Sequence, residues 1–257
     1  MRSARSLPPA ERAELFNAAY EGYLIPFHVD TAALEFMDDA FDLDLDASRI
    51  AFRDGEPVGL GNLGVRGEDA WIGGVGVVAP ARRSGVGEAL MRGLHEQARE
   101  RGVRRVWLEV IFENAGAFAL YEKLGYRTVR DVAVWSLPAS DENAAAAREV
   151  PAAEAHTRIR ELGDERAPWQ RADETIANYG DARGLATDDG AALFRAGGAV
   201  QLLQVAGEAE PTLGFLRGLG AVSVLNLPQD DPAASALLAL GATVVVRQHE
   251  MLLELAI

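Results

Sequence analysis

In LPPAERAELFNAAYEGY (7–23), apolar Leu15, Ala19 and Tyr23 recur at four-residue steps behind two prolines and an acidic first turn. That spacing predicts an amphipathic helix stopping near Pro26. A second helix is predicted from Asp30 or Thr31, both good caps, through AALEFMDDAF. The period then falls to two. RIAFRDGEPVGLGNLGV (49–65) reads as two strands around the turn Asp54-Gly55, and a turn at Gly67-Glu68-Asp69 leads into an apolar strand from Trp71. Leu90, Leu94 and Ala98 then share one face of a helix predicted over Gly87 to Arg101, stopped by Gly102. The strand VRRVWLEVIF, the helix AGAFALYEKLG and the strand DVAVWSL complete this half.

The second half carries a worn copy of the first. With Gly241 laid on Gly125, an offset of 116, residues 102–137 align without a gap on the stretch beginning at Gly218: strand, loop, small-residue helix, Leu-Gly stop, strand. In that copy Tyr121 corresponds to Leu237 and Asn114 to Asp230, and GEAEPTLGF stands where 82–87 would fall, with no basic residue. The expected organisation is a domain over 1–138, a linker over 139–155 poor in apolar bulk, and a second domain over 156–257.

Composition narrows the function classes. Apolar residues make up 49% and charged residues 25% of 257, enough for a sizeable core. The longest nearly uncharged apolar run, Ala70 to Ala81, is too short to cross a bilayer, so no membrane partner and a cytoplasmic home are expected. The absence of cysteine excludes disulfides, thiolate metal ligands and an acyl-cysteine intermediate. His95, His156 and His249 show no ligand-like spacing, and no metal site is expected. A net charge of -14 argues against a nucleic-acid partner. The local exception is 81–105, where seven arginines stand against three glutamates, a net of +4. An acidic run over 30–46 reads most simply as a solvated face, with a weaker reading that it favours a cationic substrate.

The basic stretch centres on Arg82-Arg83-Ser84-Gly85-Val86-Gly87, between a strand and a helix. Helix N-termini expose backbone N–H groups and partial positive charge, and glycines let them approach an anion closely. Arg82 and Arg83 are expected to add mobile positive charge at the rim. Alone, a Gly-x-Gly before a helix is weak evidence.

The loop, LEV at 108–110, Asn114 and ALYEKLGY at 119–126 follow one another in register, and the order of elements around them resembles the GNAT family of acyl-CoA-dependent N-acyltransferases. The resemblance covers residues 1–137 and extends to 155–257 as a degenerate copy; Pro80 departs from the usual pattern by one position. It implies an α/β (α+β) fold with a mixed sheet, two GNAT-like domains in tandem, and acetyl-CoA as cofactor. The loop Arg82, Arg83, Ser84, Gly85, Val86, Gly87 would hold the pyrophosphate of coenzyme A. Val75, Gly76 and Val77 would bind the pantetheine arm as an added strand, and Asn114 would contact that arm. Tyr121 would return a proton to the leaving thiolate, and Glu109 would be the base that deprotonates the attacking amine, as in ribosomal-protein N-terminal acetyltransferases of the same family. A water chain could replace Glu109. Tyr20, Tyr23, Phe27 and His28 would frame the pocket for a small-molecule or peptide amine. Trp71 and Trp107 read as core residues. A homodimer is compatible with the sequence.

Two readings compete with the acetyltransferase: a non-catalytic acyl-CoA sensor or interaction module, and a site in the C-terminal half, as in mycothiol synthases. Erosion of Tyr121 or the glycine loop would mark a dead site, and only the second half shows it.

Overall fold

The computed structural model describes residues 1–23, 25, 28–140, 147–163, 166–197 and 199–256. In chain order the elements are β1 (Arg2–Ser3), α1 (Pro9–Ala19), α2 (Thr31–Ala40), β2 (Arg49–Arg53), β3 (Glu56–Arg66), β4 (Asp69–Val77), α3 (Val86–Glu100), β5 (Arg105–Ile111), α4 (Ala115–Lys123), β6 (Arg127–Leu137), β7 (Arg148–Val150), α5 (Ala152–Leu162), α6 (Asp173–Tyr179), β8 (Arg183–Ala186), β9 (Gly190–Ala196), β10 (Val200–Gly207), α7 (Ala209–Leu219), β11 (Val222–Pro228), α8 (Pro232–Ala239) and β12 (Thr243–Glu254). Local chemistry sets many of these boundaries. The Asp30 carboxylate accepts from the Ala33 N–H at 2.8 Å and caps α2. Asp54 and Gly55, with φ of 52° and 93°, make the left-handed turn that joins β2 to β3.

The chain forms two compact units, Met1–Val129 with His249–Ile257, and Arg130–Gln248. In the first, strands run in the order β1, β2, β3, β4, β5 and the end of β12. Neighbours from β1 to β4 are antiparallel, whereas β4 and β5 are parallel. One apolar core joins Leu94, Val106, Leu108 and Tyr126 to Met251 and Leu255 of the C-terminal segment. A second packs Leu15 and Phe16 of α1 and Leu34 of α2 on Ile50 and Leu60.

In the second unit, β6, β11, β10, β9, β8 and β7 are neighbours in that order. Trp135 and Leu137 of β6 pack with Leu213, Leu216 and Leu237. The terminal strand of the first copy therefore belongs largely to the second unit, and that of the second copy is divided equally between the two. β6 pairs with β11 from Leu137 to Val132, and β12 gives His249–Glu254 to the first unit. The first unit's leading segment thus ends at Val129, whereas composition placed the boundary at 138, because Arg130–Leu137 of β6 pairs and packs with the second unit. The expected linker 139–155 contains β7, paired with β8, and the start of α5, while 141–146 lie outside the described residues.

The repeat is visible in the parallel strands. Asp69, Ala70 and Trp71 of β4 pair with Arg105, Val106 and Trp107, and Val200, Gln201 and Leu202 of β10 pair with Val222, Ser223 and Val224. Each run of three is followed by a register shift against the neighbouring antiparallel strand, between Asn62 and Leu63 of β3 and between Leu202 and Gln204 of β10.

Candidate active site

Parallel pairing of β4 with β5 stops after Trp71 and Trp107, so Ile72 to Val77 diverge from Leu108 to Ile111. The register against β3 runs from Leu63↔Ile72 to Asn62↔Gly74, leaving Gly73 as the extra residue of a β-bulge. Glycine is required there, since a Cβ at Gly73 would lie 2.3 Å from the Trp71 ring. Val75, Gly76 and Val77 pair with Gly61, Leu60 and Gly59 on one edge, and their other edge faces the divergence. Such an edge offers backbone donors and acceptors to an extended ligand.

At the end of this strand, Ala79–Ala81 form one 3-10 turn containing Pro80, and the chain enters the loop before α3. Gly85 is the N-cap of α3 with φ 85°, and no side chain caps the helix. The first helical bond is donated by Ala89 to the Gly85 carbonyl, so the N–H groups of Val86, Gly87 and Glu88 precede it. The position of a Cβ at Gly85 is open, with nothing within 4 Å, and one at Gly87 would lie 3.9 Å from both Val77 and Leu120. The uncapped helix start therefore sits between the open strand edge and α4. The Glu88 carboxylate in this first turn bonds Lys123 and Arg92, which hold it below the usual carboxylate range.

The loop is braced by side chains. Ser84 Oγ donates to the Ala81 carbonyl at 2.6 Å and accepts from Arg53 at 2.7 Å. Arg82 corrects the expectation of two mobile rim charges. Its backbone N–H donates to Ala79, its Nε to Val77 at 2.9 Å, and its Nη2 to Ala19 and Glu21 at 3.1 and 2.8 Å. Arg83, exposed and at φ 59°, carries the cationic side chain that remains at the rim.

Tyr121 lies on α4 with 9% exposure in the same core as Tyr126. Burial pushes its hydroxyl well above the usual tyrosine range, with Tyr23 adding to the shift, so it is protonated at neutral pH. Tyr20 is shifted the same way by burial, then by Tyr121 and Tyr23, which places three phenols in one neighbourhood. The Tyr20 ring stacks on Phe16 at 4.5 Å and meets Tyr23 edge-on at 5.2 Å. It lies across β4: a Cβ at Gly74 would be 2.6 Å from the Tyr20 hydroxyl, and one at Gly76 would be 3.1 Å from its ring and 2.8 Å from Ala19.

Tyr20, Tyr23 and His28 line a pocket of about 560 Å³ together with Asn17, Ala18, Glu21 and Gly22. Asn17 fixes one wall, donating to the Val29 carbonyl and accepting from the Val29 N–H. Phe27 lies outside the described residues. Asn17 and Glu21, also in the lining, had no signal in the sequence.

Glu109, half-buried on β5, accepts a hydrogen bond from the Trp71 indole N–H at 2.8 Å. Trp71, 5% exposed, is therefore more than the core filler the sequence suggested: it fixes the carboxylate beside the divergence. Asn114 caps α4, its side-chain oxygen accepting from Ala117 at 3.2 Å. At least five of the seven acids in the acidic run have partners within the fold. Asp38 pairs with Arg12, Asp42 with Arg66, Asp44 with Arg101 and Asp46 with Arg5, and Asp30 is a helix cap. Among the described residues no cluster of acids and histidines could hold a metal, and no helix is long and apolar enough to span a membrane.

Residues 13–126 match the acetyltransferase (GNAT) family. The alanine N-acetyltransferase of ribosomal protein bS18 from Escherichia coli (strain K12) is 41% identical over 59 residues, covering 23% of this chain and 40% of that relative. The match thus spans under half of the curated relative's length. Among solved structures, a GCN5-related N-acetyltransferase from Sphaerobacter thermophilus superposes with a TM-score of 0.73 at 18% identity, covering 98% of this chain and 94% of that one. A tandem GNAT protein from the clavulanic acid biosynthesis pathway gives a TM-score of 0.64 at 16% identity, covering 95% and 94%. These likenesses establish the fold along almost the whole chain.

Proposed function

With residues 13–126 belonging to the acetyltransferase (GNAT) family, we propose that the first unit transfers an acetyl group from acetyl-CoA to a primary amine by direct attack. The observation that carries this reading is the diverging edge of β4 from Gly74 to Val77, next to the uncapped start of α3. Backbone N–H groups from Arg83 to Glu88 suit a pyrophosphate, and the space at Gly85 suits its close approach. Val75, Gly76 and Val77 suit an extended pantetheine arm, and the Asn114 amide N–H groups can serve the same ligand, its oxygen being used as a cap. When bound, acetyl-CoA supplies a thioester carbonyl as electrophile and a thiolate as leaving group.

The remaining chemistry falls to side chains. A primary amine has a reference pKa of roughly 10.4 and must lose a proton before it attacks. Glu109, oriented by Trp71, is the base of this proposal, directly or through water. Tyr121, kept protonated by burial, is the acid that donates to the departing sulfur. Tyr20, Tyr23 and His28 frame the amine, whether a small molecule or an exposed peptide terminus. The alanine N-acetyltransferase of ribosomal protein bS18 is a relative named for a protein acceptor, and the acceptor of this chain is decided by experiment.

In the second unit only Glu208 separates Gly207 from α7, so there is no room for a glycine loop, and Leu237 replaces the tyrosine. This supports a single working site in the first unit.

Because the chain has no cysteine, a thiol reagent reads only coenzyme A released by turnover. A panel of small amines and N-terminal peptides with acetyl-CoA should yield thiol that depends on amine and falls with Tyr121→Phe. Binding of acetyl-CoA without amine-dependent release across the panel would favour the sensor reading.

A further inference from the structure

The first residue of the glycine loop reaches away from the place where an anion would sit. Arg82 uses its Nε on Val77, the last residue of β4, and its Nη2 on Ala19 and Glu21 at the end of α1. These carbonyls are receptive for a physical reason. The final carbonyls of a helix lack intrahelical partners and carry the negative end of the dipole, which favours a cation. Ala19 is the last residue of α1. The two bonded carbonyls flank Tyr20, whose ring lies over Gly74 and Gly76 and lines the pocket with Tyr23.

On the other side, only Arg83 and Ser84 separate Arg82 from Gly85, and both Arg83 and Gly85 have positive φ. An anion that fastens the N–H groups of this short segment also fixes the Arg82 backbone.

We propose that Arg82 is a positioning residue that ties the anion-binding loop to the acceptor pocket, so that filling the loop fixes Tyr20 and Tyr23 against β4. The inference rests on the acyl-CoA reading above. It couples occupancy of the loop to the order of the acceptor pocket, with the reciprocity that any coupling between two ligands carries. Lysine cannot replace arginine here, because a single ammonium cannot span carbonyls on two elements as a planar fork does.

The test uses coenzyme A and the full chain, with hydrogen exchange read over residues 16–23 and 83–90. Calorimetry first establishes binding to the wild type; no binding there would end the acyl-CoA reading itself, separately from this proposal. Arg82→Ala, with Arg82→Lys as a second variant should the first not fold, should bind coenzyme A within about threefold of wild type, with coupling to the distant segment lost. In the wild type, coenzyme A should slow exchange in both segments, by roughly threefold or more over 16–23. In the variants, only 83–90 should be protected. Protection of 16–23 that persists in the variants would overturn the proposal. So would a loss of coenzyme A binding of about a hundredfold in Arg82→Ala, which would mean that the guanidinium serves the phosphate directly.

Discussion

His95 sits on α3 with 5% exposure and bonds the Tyr126 hydroxyl through Nε2 at 2.8 Å. Burial, helped by Arg99 and Arg92, lowers its pKa from 6.5 to about 4. A histidine depressed in the folded state takes up its proton first in the unfolded chain. Its contribution is therefore intact above pH 6.5 and is lost as pH falls towards 4. The full shift corresponds to about 3.4 kcal/mol, and about 2 kcal/mol of it has gone by pH 5. Asp44, Asp46 and Glu88 are depressed carboxylates, whose losses begin below their ordinary values of 3.8 and 4.5 and so fall outside this window. His95→Gln removes the titration and keeps an amide that can bond Tyr126. Urea unfolding read by tryptophan fluorescence at pH 7, 6 and 5 should show wild type losing about 2 kcal/mol more than the variant between pH 7 and 5. Equal losses in the two proteins would refute the assignment of His95 as a buried neutral residue.

Other outcomes follow from the same geometry. Tyr121→Phe should lower turnover by roughly a hundredfold while leaving acetyl-CoA affinity nearly unchanged, measured by steady-state kinetics and calorimetry; an unchanged rate would remove Tyr121 from the mechanism. Glu109→Gln should flatten the acidic limb of the pH-rate profile, and a limb of unchanged shape would place the base elsewhere. Gly76→Ala sets a Cβ 2.8 Å from Ala19 and 3.1 Å from the Tyr20 ring, and should cost about 1–3 kcal/mol in urea unfolding. Met251→Ala, at a fully buried position of the C-terminal strand, should destabilise the first unit by about 2–5 kcal/mol although more than a hundred residues separate it from Val129.

The parts of the fold legible in the sequence are those written in local chemistry. Asp30 announces a cap, Asp54-Gly55 a hairpin, and Gly102 a helix stop, because each solves a backbone problem within a few residues. The internal copy was legible too, since β5, α4 and β6 recur as β11, α8 and β12 at the expected offset. The composition of each unit was not, because the places of β6 and of the end of β12 depend on contacts with residues far away in sequence.

The same limit applies to side chains. The Trp71–Glu109 bond spans 38 residues and exists because β4 and β5 pair in one register. Asp38, Asp42, Asp44 and Asp46 read as a free acidic surface until their arginines arrive from other elements. Arg82 looked like a phosphate ligand because its neighbours in sequence do, while its partners are carbonyls about sixty residues earlier.

The C-terminal segment in the first unit also decides how the central claim should be tested. A fragment ending near residue 140 lacks Met251 and Leu255 from its core, so the full chain is the right object. The measurement is calorimetric titration of the full chain and of its Gly85→Glu variant with acetyl-CoA. The account predicts one site per chain in the wild type and its loss in the variant, where a carboxylate occupies the open space at the helix start. Binding that survives Gly85→Glu undiminished, or a wild type that binds no acetyl-CoA while folded, would contradict it.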